Sequence, residues 1–349
     1  MQLHWGSQPT LWQDTIARIP QATFFHTPAW AEVFVTAKGG RVEVLHACWP
    51  DGRQALVPVG VRPIWWGLVQ SATTGIDGGY GGILATAPLS TTEEQQLYRA
   101  VRQRFPELAL ASNPFDAVAR PLPGGSQAAA GHTYAVCLAP LPELRRQYTK
   151  ERQRTVRRYQ EAGVQVRLIP RPDEADRRHF YRLYEQAAAQ WREQEHPERW
   201  IRDRRWFETL WTKARDHLTL AVGTVDGEVA GMEIVAVQGR IATELFHVWD
   251  RRFGRQHVST AIVEACLAFS HARGCDYLDA VPSGPLDSLD RFKASFGASA
   301  RPIWADSQTT PLTRALLHGQ ALWQHCQTLA SSLVSVPNDR LVLDPPFTG

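Results

Sequence analysis

Two similar stretches of sequence lie half a chain apart in this protein of 349 residues. An Asp-Gly pair at residues 51–52 follows Trp30, and a second pair at residues 226–227 follows Trp206. Each stretch has the pattern of an amphipathic helix, an apolar strand, a tight turn and a second strand. A repeat that spans half a chain indicates duplication of a whole domain rather than a small stacking unit. Two such domains are expected to enclose a cleft, which is where ligands commonly bind.

The rest of the pattern predicts an α+β layered fold that occurs twice, each copy a mixed, mostly antiparallel sheet flanked by helices. We place a first domain at residues 1–140, a second at 141–306 that opens with a basic linker helix at 141–162, and a C-terminal helix and tail at 307–349. Helices are predicted at residues 10–18, 28–38, 91–104, 144–163, 173–195, 203–216, 257–273 and 313–333. Strands are predicted at residues 41–49, 54–62, 107–111, 133–138, 164–169, 218–225, 228–237, 240–249 and 276–281.

Composition narrows the class of protein. With 44% hydrophobic and 21% charged residues the chain is typical of globular proteins, and its net charge of +3 gives no reason to expect DNA binding. The five cysteines form no CxxC pair, so neither a disulfide framework nor a metal site is expected. The N-terminus has no apolar signal region, and no stretch is long enough to cross a membrane. These features predict a cytoplasmic protein, and we expect a monomer.

Basic residues are distributed unevenly. Only four of the 38 are lysines, and the others are arginines. This bias has two interpretations, the base composition of the genome or a preference for bidentate contacts to phosphate and carboxylate.

The segment from Trp249 to Ser259 has the pattern of a strand, a turn and the start of a helix. Backbone N–H groups at a helix N-terminus suit a pyrophosphate or an acyl carbonyl, particularly with a glycine for close approach and arginines alongside. The alternative is an arginine-rich surface turn. Under the binding interpretation the donor-binding residues are Arg251, Gly254, Arg255, Gln256, His257, Val258 and Ser259.

Several motifs, taken in order, resemble those of one family. They are His26-Thr27-Pro28-Ala29-Trp30, Tyr80-Gly81-Gly82, the basic helix followed by Ala162-Gly163-Val164, and the closing Phe292-Lys293-Ala294-Ser295-Phe296-Gly297. The chain resembles the tandem-GNAT, Fem-type group, which includes peptidoglycan-bridge aminoacyltransferases and exopolysaccharide-associated acetyltransferases. The resemblance implies two GNAT-like domains, with the acyl donor on the second and the acceptor on the first.

The resemblance also implies a reaction. An acyl or aminoacyl group would pass from acyl-CoA or aminoacyl-tRNA to an amine by direct attack, with no permanently bound cofactor. The acceptor would be a cell-wall precursor, a polysaccharide, a peptide or a small molecule. Gln256 stands where the GNAT donor loop has glycine or alanine, which weakens the acyl-CoA interpretation and leaves room for tRNA. The alternative function is a non-catalytic module that binds RNA or a glycan through an arginine-rich cleft.

Two residues are candidates for catalysis. The resemblance places Lys293 at the acyl-transfer centre, where an ammonium stabilises a developing oxyanion; the alternative is a surface lysine. His247 is the candidate base, against a histidine that only satisfies hydrogen bonds in the core. Strict strand alternation puts His247 and Glu244 on opposite faces unless a bulge intervenes.

Other residues are candidates for acceptor and phosphate binding. The glycine-rich run at residues 75–82 would line the acceptor groove through Asp77, Tyr80, Gly81 and Gly82, with Trp249 on the other side; tight turns explain the same glycines. Arg154, Arg157 and Arg158 on the basic helix would contact phosphates of tRNA or a nucleotide-sugar acceptor, or form a solvated helix face.

Overall fold

The computed structural model describes residues 1–64, 67–117, 120–193, 201–284, 286–311 and 313–314. Met1–Ser307 form one compact unit. All but the first two residues of the C-terminal helix predicted at residues 313–333 lie outside the described residues.

The helices and strands predicted within the described residues are found in the predicted order, whereas the helix at 287–294 and the strands at 2–5, 69–73, 84–85, 299–303 and 305–308 were not predicted. The helices are α1 (Pro9–Ile16), α2 (Pro28–Lys38), α3 (Thr91–Arg104), α4 (Leu141–Gln147), α5 (Lys150–Glu161), α6 (Glu174–Glu193), α7 (Arg204–Lys213), α8 (Val258–Ala272) and α9 (Asp287–Ala294). The strands are β1 (Gln2–Trp5), β2 (Arg41–Cys48), β3 (Gln54–Ile64), β4 (Val69–Thr73), β5 (Leu84–Ala85), β6 (Leu108–Ala111), β7 (Gly131–Cys137), β8 (Gln165–Ile169), β9 (Leu218–Val225), β10 (Glu228–Gln238), β11 (Ile241–Trp249), β12 (Tyr277–Asp279), β13 (Ser299–Ile303) and β14 (Ala305–Gln308).

The strands form two mixed sheets with related topology. The first has the order β1-β2-β3-β4-β6-β14, with β5 against β3, and the second has the order β13-β7-β12-β11-β10-β9-β8. In each, an antiparallel meander is followed by one parallel pair, β4 with β6 and β11 with β12. The predicted fold class, two mixed sheets flanked by helices, is confirmed.

The sheets exchange strands near the predicted domain boundaries. Strand β7 precedes the proposed boundary at residue 140, yet it lies in the second sheet between β12 and β13. Strand β14 lies in the first sheet, although it follows the whole second meander. The division at residue 140 therefore stays a prediction. Strands β7 and β14 each lie in the sheet of the other half.

The repeated tryptophans lie against each other. Thr27 caps α2 by accepting a hydrogen bond from the Trp30 backbone N–H at 3.1 Å, and Pro28 opens the helix, as that pair of residues predicts. Asp203 caps α7 in the same way through the Trp206 N–H. The two indoles then meet edge to face, with ring centroids 5.9 Å apart, in an arrangement worth about 0.5–1.5 kcal/mol beyond area burial. The duplicated helices thus form the contact between the two halves.

The basic linker predicted as one helix at residues 141–162 is two helices, which corrects that prediction. The chain leaves helical geometry at Tyr148, and the Thr149 hydroxyl accepts from the Arg152 N–H to start α5. Threonine competes for backbone donors in this way, which favours a new N-cap over a continuous helix. The Arg152 guanidinium lies over the rings of Phe292 and Phe296, at 4.6 and 4.4 Å, and this contact fixes the start of α5 against α9.

Candidate functional site

A gap opens between the two parallel strands of the second sheet. Strands β11 and β12 pair over only three residues, Ile241–Thr243 with Tyr277–Asp279. Beyond them β11 continues to Trp249, whereas β12 ends and Val281 takes a positive φ of 48°. This backbone conformation is strained for a β-branched residue, and such strain concentrates at functional sites. The site is therefore built around the point where the strands separate.

A β-bulge changes which side chains of β11 share a face. Glu233 pairs with His247, but Val235 pairs with Glu244, so Leu245 is an extra residue in the strand. Glu244 and His247 consequently lie on the same face of the sheet, towards α8. Leu245 and Phe246 line a cavity on the other side. The bulge is the condition under which the sequence analysis allowed Glu244 and His247 to share a face.

A chain of polar groups crosses the α8 side of the gap. Glu233 is fully buried, and its Oε2 lies 3.0 Å from His247 Nδ1. The His247 Nε2 lies 2.9 Å from Ser259 Oγ. Both contacts are satisfied when Nδ1–H donates to the carboxylate and Nε2 accepts from the hydroxyl.

Glu244 lies beside Glu233 in this cluster. Burial, followed by the negative charge of Glu233, raises its pKa well above its usual range. The second oxygens of Glu233 and Glu244, both Oε1, are buried and have no other hydrogen-bond partner. Burial and the neighbouring Glu233 therefore favour the protonated form of Glu244, beside the carboxyl that contacts His247.

Lys293 lies at the gap. Its Nζ donates to the Val281 carbonyl and to Ser283 Oγ, each at 2.7 Å. Burial lowers the pKa of this ammonium, while the carboxyls of Glu244 and Asp279 oppose that change. Because an ammonium has three N–H donors and two are used, one remains for a further acceptor. Lys293 is therefore a half-buried cation behind the strained turn, not a surface lysine.

Asp279 joins the two halves of the molecule at the same turn. It is fully buried and accepts from the Tyr80 hydroxyl at 3.0 and 2.9 Å, from Thr133 Oγ1 at 2.6 Å and from the Val281 N–H at 3.2 Å. Burial raises the pKa of this carboxyl to about 6, although the hydrogen bonds from Thr133 and Tyr80 lower it. Tyr80 thus lines the cavity with its ring while its hydroxyl is bound to Asp279.

A cavity of about 870 Å³ lies between the halves, next to this turn. Its walls are mainly aromatic and aliphatic, including Phe25, Trp30, Phe34, Trp191, Trp206, Leu245, Phe246 and Leu289. Val281 and Ser283, which accept from Lys293, belong to its lining. Lys38, Arg62 and Arg202 bring positive charge to its wall, and Asp77 is its acidic residue.

The residues predicted to bind an acceptor are distributed unequally around the cavity. Asp77 lines it, but its oxygens already accept from Arg202 at 3.3 Å and from Trp206 Nε1 at 3.0 Å. Gly81 and Gly82 are buried behind it. The Gly81 carbonyl accepts from His26, and a Cβ at Gly81 would lie 2.4 Å from Thr74 Oγ1. These two glycines serve close packing, and their proposed contact with an acceptor stays a prediction.

Trp249 and the predicted donor turn lie together at the other end of β11. Residues Arg251–Gln256 form a short 3-10 helix, and the Gly254 backbone packs against the Trp249 ring. His257 has a φ of 57° and precedes α8, whose N-terminus has no side-chain cap. Arg251 and Arg255 are exposed, Ser259 is half-buried, and Val258 is in the core. Trp249 is not among the residues that line the cavity, so its proposed contact with an acceptor stays a prediction.

The arginines of α5 fall into two groups. Arg152 is packed on α9, whereas Arg154, Arg157 and Arg158 are exposed and have no carboxylate partner among the described residues. The charges of Arg158 and Arg152, after burial, lower the pKa of His257. These two arginines therefore lie near the N-terminus of α8.

Two negative findings apply to the described residues. No group of three or more His, Cys, Asp or Glu side chains there is arranged to hold a metal ion. No helix in the same part of the chain is long and apolar enough to cross a membrane.

Part of the chain matches a known protein family. Residues 145–294 match the family model of the acetyltransferase (GNAT) domain. They include the separating strands, the turn before α8 and Lys293. The matched segment lies in the second half of the chain, and the first half repeats its sheet topology.

Solved structures extend the likeness to most of the chain. FemX superposes with a TM-score of 0.69 at 10% identity, covering 91% of this chain and 99% of its own. A conserved protein of unknown function from Bacteroides thetaiotaomicron superposes with a TM-score of 0.54 at 11% identity, covering 88% of this chain and 100% of its own. At such identities the likeness concerns the fold. No curated protein matches by sequence. The predicted resemblance is confirmed, because residues 145–294 match the GNAT domain model and the fold superposes on that of FemX over most of the chain.

Sequence reasoning missed several residues of the site. Asp279, Ser283 and Arg202 received no role, because their partners Tyr80, Lys293 and Asp77 lie 199, 10 and 125 residues away. The hydroxyl of Ser259 was assigned only to donor binding. The one available signal for Asp279 was an acidic residue within the predicted strand at 276–281.

Proposed function

We propose that the protein is an acyltransferase that moves an acyl group from a thioester donor, acyl-CoA, to an amine bound in the cavity. The observation that carries this proposal is the gap between β11 and β12. It has an uncapped helix N-terminus at one end, the cavity on the other face and the Lys293 ammonium between them. Acyl transfer needs a donor site, an acceptor site and a group that stabilises the oxyanion where they meet.

The donor is placed against the turn from Arg251 to Ser259. The first N–H groups of α8 have no partners within the helix and favour the negative charge of a pyrophosphate. Arg158 and Arg152 add positive charge at the same end. Exposed Arg154 and Arg157 extend this surface, so phosphate contacts there are part of the proposal. Aminoacyl-tRNA is the second donor to test, because Gln256 departs from the GNAT pattern.

The acceptor is an amine with an apolar body and an anionic group. The mainly aromatic wall of the cavity suits the apolar body. Lys38 and Arg62 are exposed cations at its edge without ion pairs among the described residues, and they suit a phosphate or a carboxylate. Peptide and cell-wall precursors with such groups are the acceptors to examine first.

The proposed reaction is direct. The neutral amine attacks the thioester carbonyl, and the third N–H of Lys293 stabilises the resulting oxyanion. Collapse of the tetrahedral intermediate breaks the C–S bond. The proton that leaves the amine ends on the thiolate, so the products are an amide and free CoA thiol.

The test is acyl transfer by a Lys293→Met variant. Transfer from acetyl-CoA to a panel of amines, followed through release of thiol, should fall by ~100-fold or more, as for loss of an oxyanion donor in other enzymes. Lys213→Met is the matched control, because Lys213 is exposed and its one ion pair among the described residues is with Glu32 at 3.4 Å. Unchanged turnover in the Lys293 variant would remove this residue from the reaction centre.

Thermal-shift measurements separate this function from the alternative. Saturable stabilisation by acyl-CoA supports the enzyme, because a ligand that binds the native state raises its melting temperature. Stabilisation by RNA or a glycan alone, without acyl consumption, would instead support a binding module. The exposed arginines of α5 are the observation that favours that second function.

A further inference from the structure

Three side chains on the α8 face of the second sheet have the arrangement of a nucleophile, a base and an orienting acid. Ser259 Oγ lies 2.9 Å from His247 Nε2, and His247 Nδ1 lies 3.0 Å from Glu233 Oε2. These are the contacts of a Ser-His-acid triad, which is recognised by geometry and not by sequence order. The residues come from β10, β11 and α8.

The acid and the base have the exposures that this chemistry needs. The Glu233 side chain is 0% exposed and the His247 side chain 25% exposed. A buried carboxylate stabilises the imidazolium that forms when the base takes a proton. Glu233 Oε2 is the atom that contacts His247 Nδ1, so this carboxyl is placed to orient the imidazole. Cys266, whose Sγ lies 3.7 Å from the same oxygen, adds only a weak S–H contact.

The fold holds the nucleophile against the base. Gly223 and Gly231 let α8 approach the sheet. A Cβ at Gly223 would lie 2.8 Å from the Val258 side chain, and a Cβ at Gly231 would lie 3.0 Å from that of Ile262. Ser259 therefore sits in the first turn of α8, beside its own backbone N–H and that of Val258. N–H groups at that position have no partners within the helix and can stabilise an oxyanion next to the attacking hydroxyl.

We propose that Ser259, His247 and Glu233 form a second reactive site that cleaves activated esters or thioesters of small acids. The Ser259 oxygen attacks the acyl carbonyl, and its proton passes through His247 Nε2 to the leaving alcohol or thiol. Water then attacks the acyl-serine ester, His247 takes the proton of the water, and that proton returns to Ser259. The net reaction consumes one water and gives a carboxylic acid with an alcohol or thiol.

Water, not the amine, is the acceptor at this site because of the faces of the sheet. His247 points towards α8, whereas Leu245 and Phe246 line the amine cavity on the other side. An acyl group covalently held on Ser259 stays on the α8 face, whereas in the proposed transfer the thioester reaches the cavity through the gap between β11 and β12. This activity therefore goes beyond the proposed transfer and does not depend on it.

The experiment uses the full chain with p-nitrophenyl acetate, without CoA or amine. We expect release of nitrophenolate and, by mass spectrometry of quenched protein, one acetyl group on the peptide that contains Ser259. A fluorophosphonate probe should label the same residue. Ser259→Ala and His247→Ala should each lose ester cleavage by ~100-fold or more, and Glu233→Gln should lose less.

Ser270→Ala is the matched control, because Ser270 is a buried serine on the same helix. It should keep both labelling and cleavage. The inference is overturned if the unmodified protein gains no adduct on Ser259 with either reagent, a measurement that needs no variant to fold. Equal cleavage by the Ser259 variant would overturn it as well. Failure of acyl transfer to amines, with Ser259 still acylated, would refute only the proposed function.

Discussion

The hydrogen bond from Tyr80 to Asp279 is expected to stabilise the protein by an amount that depends on pH. It joins the glycine-rich run of the first half to the strained turn of the second, 199 residues later in the chain. Tyr80→Phe removes the hydroxyl and keeps the ring that packs at 5.1 Å from Phe25. Asp279 retains Thr133 and the Val281 N–H, so the carboxyl is not left bare.

The magnitude follows from the charge on Asp279. Its pKa in the folded protein is raised from 3.8 to about 6, mainly by burial. Well above that value the hydroxyl bonds a carboxylate, and such bonds contribute about 1.5–3 kcal/mol. Below it the acceptor is a neutral acid, and the contribution falls to about 0.5–1.5 kcal/mol. The substitution should therefore cost about 1–1.5 kcal/mol more near pH 8 than near pH 5.

The assay is urea unfolding of the wild type and the variant near both pH values, followed by tryptophan fluorescence. The free energies are compared at equal m-values, so that the change reports stability. Tyr277→Phe is the control, because Tyr277 lies on the same strand, and its ring contacts Phe115 and the Arg301 guanidinium. A cost of Tyr80→Phe that is equal at both pH values, or larger near pH 5, would refute the assignment of charge to Asp279.

Two further predictions concern the same buried groups. Because the pKa of Asp279 is raised on folding, its protonated form favours the folded state. The wild type should lose about 3 kcal/mol of stability as pH rises from about 4 to above 6. Asp279→Asn should lack this loss, and pH-dependent unfolding curves of the two proteins that stay parallel would contradict it. Arg145→Met should cost about 2 kcal/mol in urea unfolding, because Glu264 is only 2% exposed and loses its bidentate partner. This expected cost is below the value for a fully buried ion pair, since Arg145 is 35% exposed. A cost near zero would show that water solvates Glu264.

Local signals in the sequence were sufficient for most elements. Thr27-Pro28 and the polar face after Ser90 gave α2 and α3 their observed limits, because caps and periodicity act within a few residues. The Asp-Gly turns fixed both hairpins, and Asp226 takes the positive φ of 50° that such turns require.

The errors arose where a contact between residues distant in sequence determines the local structure. The bulge at Leu245 reflects how β11 must separate from β12, and its own residues carry no signal for it. The exchange of β7 and β14 between sheets is a choice among pairings with similar local patterns. Lys293 was identified through the family resemblance, whereas its acceptors at Val281 and Ser283 depend on a turn that Asp279 and Tyr80 hold.

The duplication explains why the two halves cannot have equal roles. Trp30 and Trp206 occupy equivalent positions, yet both indole N–H groups donate to one segment, Trp30 to the Ile76 carbonyl at 2.8 Å and Trp206 to Asp77 at 3.0 Å. Residues 75–82 are therefore a wall held by both halves. The equivalent positions 176 residues later form the turn before α8, and no such pair of indoles among the described residues donates to it. Under the proposed function, the fixed wall would shape the acceptor cavity in advance, and the turn with uncapped helix N–H groups would remain available to an anionic donor.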